Sequence, residues 1–328
     1  MQTQDEAELC FPQLRNTSCR KPTAQSNAVL LNILLVSVSV LTVFLNLLII
    51  ISVSHFRQLH TPTNILLLSL AVSDFLVGLL LMQGEILRIT GCWILGDVMC
   101  SLYHFLSYII AGTSIGDMVL ISAERYFAIC DPLHYPTRVT VPRVKLCVCL
   151  CWFYYFFYSI LVLRDDLVLP GRYNSCKGEC VIVIDYITGA VDLVFNFIVP
   201  ITAIIVLHMK VFVVAVSHVR AMHSHITAVT VQCSVTVMTK KSELKAARTL
   251  GVLVVVFIMC YCPYYCLSFS GDNALTGSLA AYVLDVFYFN SCLNPVIYAL
   301  FYPWFRKSVK LIVTLQILQP GSCDYTEA

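Results

Sequence analysis

Seven long apolar stretches decide what this 328-residue chain can fold into. A bilayer's hydrocarbon core takes about 20 residues of helix, and each stretch approaches or exceeds that. Pro22 to Ser54 carries no charge, Pro62 to Gly84 carries only Asp74, and Val98 to Gly116 carries none, its pattern running on towards Cys130. Leu146 to Leu163, Leu193 to Met209, Thr249 to Gly271 and Val286 to Phe305 are likewise uncharged. The fifth and seventh must begin earlier to reach full length, which places Asp192 and Asp285 inside them. Strict alternation is absent, so the spans are helices and not barrel strands. Composition agrees: 59% of residues are hydrophobic and 12% charged, against about a quarter charged in soluble domains. A soluble enzyme, a secreted disulfide scaffold and a disordered chain are excluded, and a net charge of +2 gives no case for nucleic acid. The fold class is an all-α membrane protein, a bundle of seven transmembrane helices.

An odd number of spans puts the two ends on opposite sides. Fourteen of the 21 Lys and Arg residues fall on the side that holds the C-terminus, so the N-terminus is expected outside a plasma-membrane protein. Arg20 and Lys21, ahead of the first span, argue the other way; the sequon Asn16-Thr17-Ser18 fits a glycosylated lumenal N-terminus. The first 27 residues are polar, with acidic side chains at Asp5, Glu6 and Glu8, and the first span is expected to serve as the targeting signal. The organisation is then an extracellular segment 1–27, a seven-helix transmembrane bundle 28–302, and a cytoplasmic tail 303–328. In the tail, Pro303 to Leu318 reads as a short amphipathic eighth helix on the membrane surface. Lys210 to Lys245 is expected to form the longest loop.

Of 16 cysteines, Cys147, Cys149, Cys151, Cys260, Cys262, Cys266 and Cys292 lie within spans and read as small apolar packers. Cys130, Cys233 and Cys323 fall on the reducing side. Cys10, Cys19, Cys92, Cys100, Cys176 and Cys180 fall on the oxidising side and are able to pair. No internal repeat, filter loop or charge ladder points to a transporter or channel. A retinal-binding protein needs a lysine in the seventh span, and Ala274 to Phe305 has none.

Polar groups in lipid are costly, so each needs an explanation. They fall one group per span: Asn46; Asp74; Glu124-Arg125-Tyr126; Trp152; Pro200; Pro263; and Asn294-Pro295-Val296-Ile297-Tyr298. In this order they resemble the rhodopsin-like class of G-protein-coupled receptors over nearly the whole chain. A narrower resemblance, to trace amine-associated receptors, rests on Asn290-Ser291, Asn294-Pro295, Tyr298, Tyr302 and Trp304-Phe305. Cys10, Cys19 and the loop Ser175-Cys176-Lys177-Gly178-Glu179-Cys180 add to it. The resemblance implies a receptor and not an enzyme, with a small amine ligand, an olfactory setting, and a stimulatory G protein acting through cAMP.

The resemblance also implies roles, each with a plainer reading beside it. Cys100 and Cys180 resemble the disulfide that holds the second outer loop over the pocket. Cys176 resembles an extra cysteine bonded to Cys10 or Cys19; free thiols in a mobile loop are the alternative. Asp74, Ser114, Asn290 and Asn294 resemble a buried sodium site, the one ion implied beyond an absence of cofactors; the alternative is a protonated Asp in a polar core. Arg125 is expected to pair with Glu124 and Glu243 at rest, with Tyr126 and Tyr298 completing the G-protein switch, or else to sit in a solvated charge cluster.

The ligand question turns on Ser107. It stands seven residues after Cys100, two helical turns on, where amine receptors usually carry a carboxylate. Asp192, eight residues before Pro200, resembles the displaced anchor of a subset of fish olfactory members. An ammonium against it offsets a desolvation cost that neither charge bears alone; the alternative is a carboxylate paired within the protein. Tyr108, Tyr261, Tyr264, Tyr265 and Tyr288 are able to face an ammonium, or simply to pack. Tyr261 stands where the class usually has Trp. Glu85 and Asp285 are expected to face outer water in preference to a second ammonium, and Asp117 has no place in the family pattern. A receptor of the same fold for a non-amine ligand is the rival reading.

Overall fold

The computed structural model describes residues 9–21, 26–90, 92–225, 234–269 and 278–319. Among the described residues, seven helices are long and apolar enough to cross a membrane: Asn32–His55, Pro62–Arg88, Asp97–Cys130, Val141–Val162, Tyr186–Val214, Gly251–Ser268 and Tyr282–Phe301. These are called the first to seventh spans. Asp192 and Asp285 lie inside the fifth and seventh, and the third does run on to Cys130.

The first span packs on the second and seventh, and the sixth on the fifth and seventh. The third touches the second, fourth, fifth and sixth, and so runs through the middle of the bundle. The second and third spans are accordingly the most buried, the fourth and fifth the least. On the fourth, Leu146, Leu150, Phe153, Phe157 and Leu161 are exposed at helical spacing, an apolar stripe suited to lipid. Gly112 and Gly116 let the third and fourth spans meet: a Cβ on Gly112 would stand 2.1 Å from Tyr155 Cδ1, and one on Gly116 2.3 Å from Cys151 Sγ.

Two spans widen locally into a π-helical turn, Val77–Leu81 in the second and Val194–Ile198 in the fifth. The latter precedes Pro200, which has no N–H to bond the carbonyl four residues back. Pro263 and Pro295 sit inside the sixth and seventh helices. The expected long loop after Lys210 is largely helical instead. The fifth helix continues to His225 and the sixth begins at Ser234. No Gly or Pro falls between Pro200 and Gly251, so nothing in the sequence breaks either helix.

The amphipathic helix runs Pro303–Val313, shorter than expected, because Leu315 turns left-handed at φ 58° and a 3₁₀ turn, Gln316–Leu318, follows. Phe305, Val309 and Ile312 pack on the core, while Arg306 Nη1 donates to the carbonyls of Ala299 and Leu300, both at 3.0 Å. That caps the end of the seventh helix with a cation, as its exposed carbonyls favour.

At the N-terminal end of the bundle, residues 9–21 form a knot tied down by two disulfides, Cys10–Cys92 and Cys19–Cys176, and a third, Cys100–Cys180, ties the loop beneath it to the third span. Cys176 takes Cys19 of its two expected partners, and Cys10 pairs with Cys92. Backbone bonds from Cys19 N to Lys177 O (2.9 Å), Lys177 N to Thr17 O (2.7 Å) and Trp93 N to Gly178 O (2.8 Å) seat the knot on the loop. Gly178 has φ 103°, a backbone conformation that favours glycine, and a Cβ there would lie a tight 3.0 Å from Cys10 Cβ. Lys177 Nζ pairs with Asp97 Oδ2 at 2.8 Å.

Candidate functional site

Below this knot lies a cavity of about 80 Å³ between the third, fifth, sixth and seventh spans. Six residues expected around a ligand line it: Ser107, Tyr108, Asp192, Tyr264, Tyr265 and Tyr288. Asn196, Phe287, Leu284, Ile115, Ala111 and Gly112 complete it. Tyr261 is not in the lining. It stacks beneath, between Phe257 and Phe287, with ring centroids 4.2 Å from each, because its position on the sixth helix points at the core. Its ring contact with Phe287 joins it to the cavity wall.

Asp192 is held by two donors on one oxygen. Tyr158 on the fourth span donates to Oδ1 at 2.9 Å, and Asn196 Nδ2 donates to the same Oδ1 at 2.7 Å. No basic side chain pairs with Asp192 among the described residues. Ser107 donates its hydroxyl to Tyr103 O at 2.8 Å, the usual back-bond of a helical serine. Neither Tyr158 nor Asn196 stands out in the sequence, although the four-residue step from Asp192 to Asn196 puts both on one helix face.

Glu85 does not face water. It is 3% exposed, with Arg88 Nε at 3.0 Å and Nη2 at 2.5 Å on its two oxygens and the Tyr103 hydroxyl at 3.1 Å. A guanidinium one turn away meets both carboxylate oxygens in place of water. Asp285 is half-buried, and its Oδ2 is buried without a hydrogen bond.

Deeper in the bundle, Asp74, Ser114, Asn290 and Asn294 are all buried. Asn294 Nδ2 donates to Asp74 Oδ2 at 2.8 Å, while Asp74 Oδ1, Ser114 Oγ and Asn290 Oδ1 have no hydrogen bond. Asn46 Nδ2 bonds the Ser291 carbonyl at 3.0 Å, tying the first span to the seventh. Asp117 also finds a place: Ser69 Oγ donates to its Oδ2 at 2.8 Å and receives the Trp152 indole N–H at 3.1 Å, a relay across the second, third and fourth spans.

At the opposite end, Arg125 Nε lies 2.6 Å from Glu124 Oε2. Thr63 is bonded to both, accepting from Arg125 and donating to Glu124 Oε1 at 2.8 Å. Tyr135, on a short helix Tyr135–Arg138, donates to the same Oε1 at 2.5 Å. Burial, then the bond to Glu124 and its charge, pushes the Tyr135 phenol up to about 12. The Lys210 ammonium stands over the Tyr126 ring, 5.6 Å from its centroid. Tyr298 is buried with its hydroxyl unbonded, 6.0 Å from the Tyr302 ring. The side chain of Glu243, and residues Cys233 and Cys323, lie outside what the structure describes. Asn16 is exposed in the knot.

Comparison with known proteins places this architecture. The profile of the 7 transmembrane receptor (rhodopsin family) matches residues 45–298. Trace amine-associated receptor 13c of Danio rerio is 37% identical over 98% of this chain and 97% of its own length. Trace amine-associated receptor 8a of Rattus norvegicus is 36% identical over 98% of this chain and 96% of its own. Trace amine-associated receptor 4 of Mus musculus is 32% identical over 97% and 94%. With its seven spans, the chain is a multi-pass plasma-membrane receptor and not an enzyme, a protein that works with a ligand and a heterotrimeric G protein. It belongs to the rhodopsin family of seven-transmembrane receptors and, within that family, to the trace amine-associated receptors.

Proposed function

We propose that this receptor senses a small amine whose ammonium pairs with Asp192, that it serves olfaction, and that it signals through a stimulatory G protein and cAMP. The observation that carries this is a carboxylate without a basic partner among the described residues, lining a cavity with four tyrosines. Such a wall supplies ring faces to a cation as well as a counter-charge. The names of the relatives, all trace amine-associated receptors, support the same ligand class.

Ligand binding raises the population of an active state by favouring it over the resting one. The rings offer a contiguous route for that bias: Tyr264 to Phe287 at 5.2 Å, then Phe287 to Tyr261 and Tyr261 to Phe257. Pro263, two residues on from Tyr261, marks where the sixth helix bends. Motion there frees Arg125 from Glu124 for the G protein. A sodium ion steadies the resting state: Asp74, Ser114 and Asn290 present unbonded buried oxygens, the donor set a hard cation takes, with Asn294 orienting Asp74. The N-terminus is extracellular, in keeping with three disulfides at that end, and Asn16 carries glycan there.

A cAMP reporter assay with mono- and diamines, run on wild type and Asp192→Ala with surface expression measured, tests the reading. The expected result is a response in wild type that Asp192→Ala loses at equal surface level. Equal responses in both remove the anchor from Asp192. A surface-expressed wild type silent to every amine leaves the non-amine receptor instead.

A further inference from the structure

The same cavity holds a second acceptor, and it sets how many N–H bonds a ligand must bring. Asn196 is 5% exposed, and its Oδ1 is buried without a hydrogen bond. Its orientation is fixed by chemistry: the carboxylate of Asp192 accepts only, so the amide must turn its NH₂ towards Asp192 Oδ1, as observed at 2.7 Å. That leaves the amide oxygen for something else. Asp192 and Asn196 both line the cavity, four residues apart across the π-helical turn. Both donors to Asp192 occupy its Oδ1, so Oδ2 takes neither of these bonds.

The geometry points to Asn196 as a specificity-determining residue: Asp192 Oδ2 and Asn196 Oδ1 together receive two N–H bonds from one ammonium, so the receptor selects primary and secondary amines over tertiary and quaternary ones. This inference rests on the amine reading of the site. A primary ammonium brings three N–H groups and a secondary one two, enough for both oxygens. A tertiary ammonium brings one. It satisfies Asp192 and leaves the Asn196 carbonyl buried and unmet, with an N-methyl group against it. A quaternary ammonium brings none. The tyrosine rings do not reverse this order, because cation–π attraction does not require an N–H.

The test is a matched series, an n-alkyl primary amine with its N-methyl, N,N-dimethyl and N,N,N-trimethyl derivatives, assayed by cAMP response with surface expression measured. Receptors are wild type, Asn196→Leu, Asn196→Ala and Asp192→Ala. Wild type is expected to prefer the primary and secondary members by about tenfold or more over the dimethyl one, about the value of one hydrogen bond to a charged group. The readout is the ratio of potencies, because losing the Asn196 amide also frees Asp192 and shifts every member together. In Asn196→Leu and Asn196→Ala that ratio is expected to fall to within about threefold. A wild type indifferent to N-methylation, or an Asn196 variant that keeps the preference, overturns the inference while a silent Asp192→Ala keeps the amine reading. If Asp192→Ala responds as wild type does, or no amine acts at all, the amine reading itself fails and takes this inference with it.

Discussion

Tyr158 on the fourth span and Asp192 on the fifth are joined by a hydrogen bond of 2.9 Å. The carboxylate is therefore oriented from a helix that contributes no residue to the cavity lining. Removing the hydroxyl while keeping the ring, in Tyr158→Phe, lets that carboxylate turn. The expected effect is a loss of amine potency of about tenfold, roughly 1.5 kcal/mol, at unchanged surface expression. Potency equal to wild type would show that Asn196 alone positions the acid.

Gly112 sits where a methyl group would stand 2.1 Å from a Tyr155 ring carbon. Gly112→Ala forces the third and fourth spans apart and is expected to cost about 1–3 kcal/mol, read as a lower Tm of the purified receptor. The cost should shrink in a Tyr155→Leu background, where the ring is gone. An equal cost in both backgrounds would place the strain elsewhere.

The Cys10–Cys92 bond closes a loop across 82 residues of sequence. Cys10→Ser, Cys92→Ser and the double variant should lose the same stability, about 2–4 kcal/mol, since each breaks one bond. Unequal Tm shifts among the three, measured without reductant, would mean that the partners are not these.

Tyr135 supplies a pH test at the G-protein end. Its phenol is raised from the ordinary 10.0 to about 12, chiefly by burial and then by Glu124. A raised folded pKa gives stability that is complete below the unfolded value and is lost as pH climbs through the folded one. The Tm difference between wild type and Tyr135→Phe should therefore be constant from about pH 6 to about pH 9. Basal cAMP should rise in Tyr135→Phe, because Glu124 loses a partner that helps it hold Arg125. A Tm difference that slopes within that window would argue against the Tyr135–Glu124 bond.

Sodium should stabilise the resting receptor through Asp74. Replacing choline chloride with sodium chloride at equal ionic strength is expected to raise the Tm of wild type and leave Asp74→Asn unmoved. At about a hundredfold excess over Kd, the linkage is worth roughly 2.7 kcal/mol. An identical shift in both proteins would make it a general salt effect.

The seven spans were legible because lipid imposes one simple rule on a helix, and the charges inside them marked the functional levels. Asp192 could be found by counting, since Pro200 fixes its register. Its two donors could not. Tyr158 meets it by reaching from the fourth span to the fifth, two helices that each pack on the third, and Asn196 is shared between helix-face geometry and a π-helical turn that no periodicity announces. Glu85 reads as water-facing for a related reason: a helix end in sequence says nothing of an arginine folding back over it. Tyr261 reads in sequence as part of the cavity wall and lies a layer beneath it, because one turn of the sixth helix separates the wall from the packing below. Cys92 shows the limit of pairing arguments, since six cysteines on one side admit many connectivities.

The knot at the N-terminal end changes what a break in the backbone would mean there. Residues 11 to 18 lie between two half-cystines, one joined to Cys92 and the other to Cys176. A protease that cuts once in this interval severs the chain but releases nothing. The piece that carries Cys10 stays fastened beside the second span and the piece that carries Cys19 runs on through the bundle, so the nicked receptor stays in one covalent unit until a reductant is added. The N-terminal segment is thus part of the receptor's covalent roof, and a nicked molecule would be indistinguishable from an intact one on a non-reducing gel.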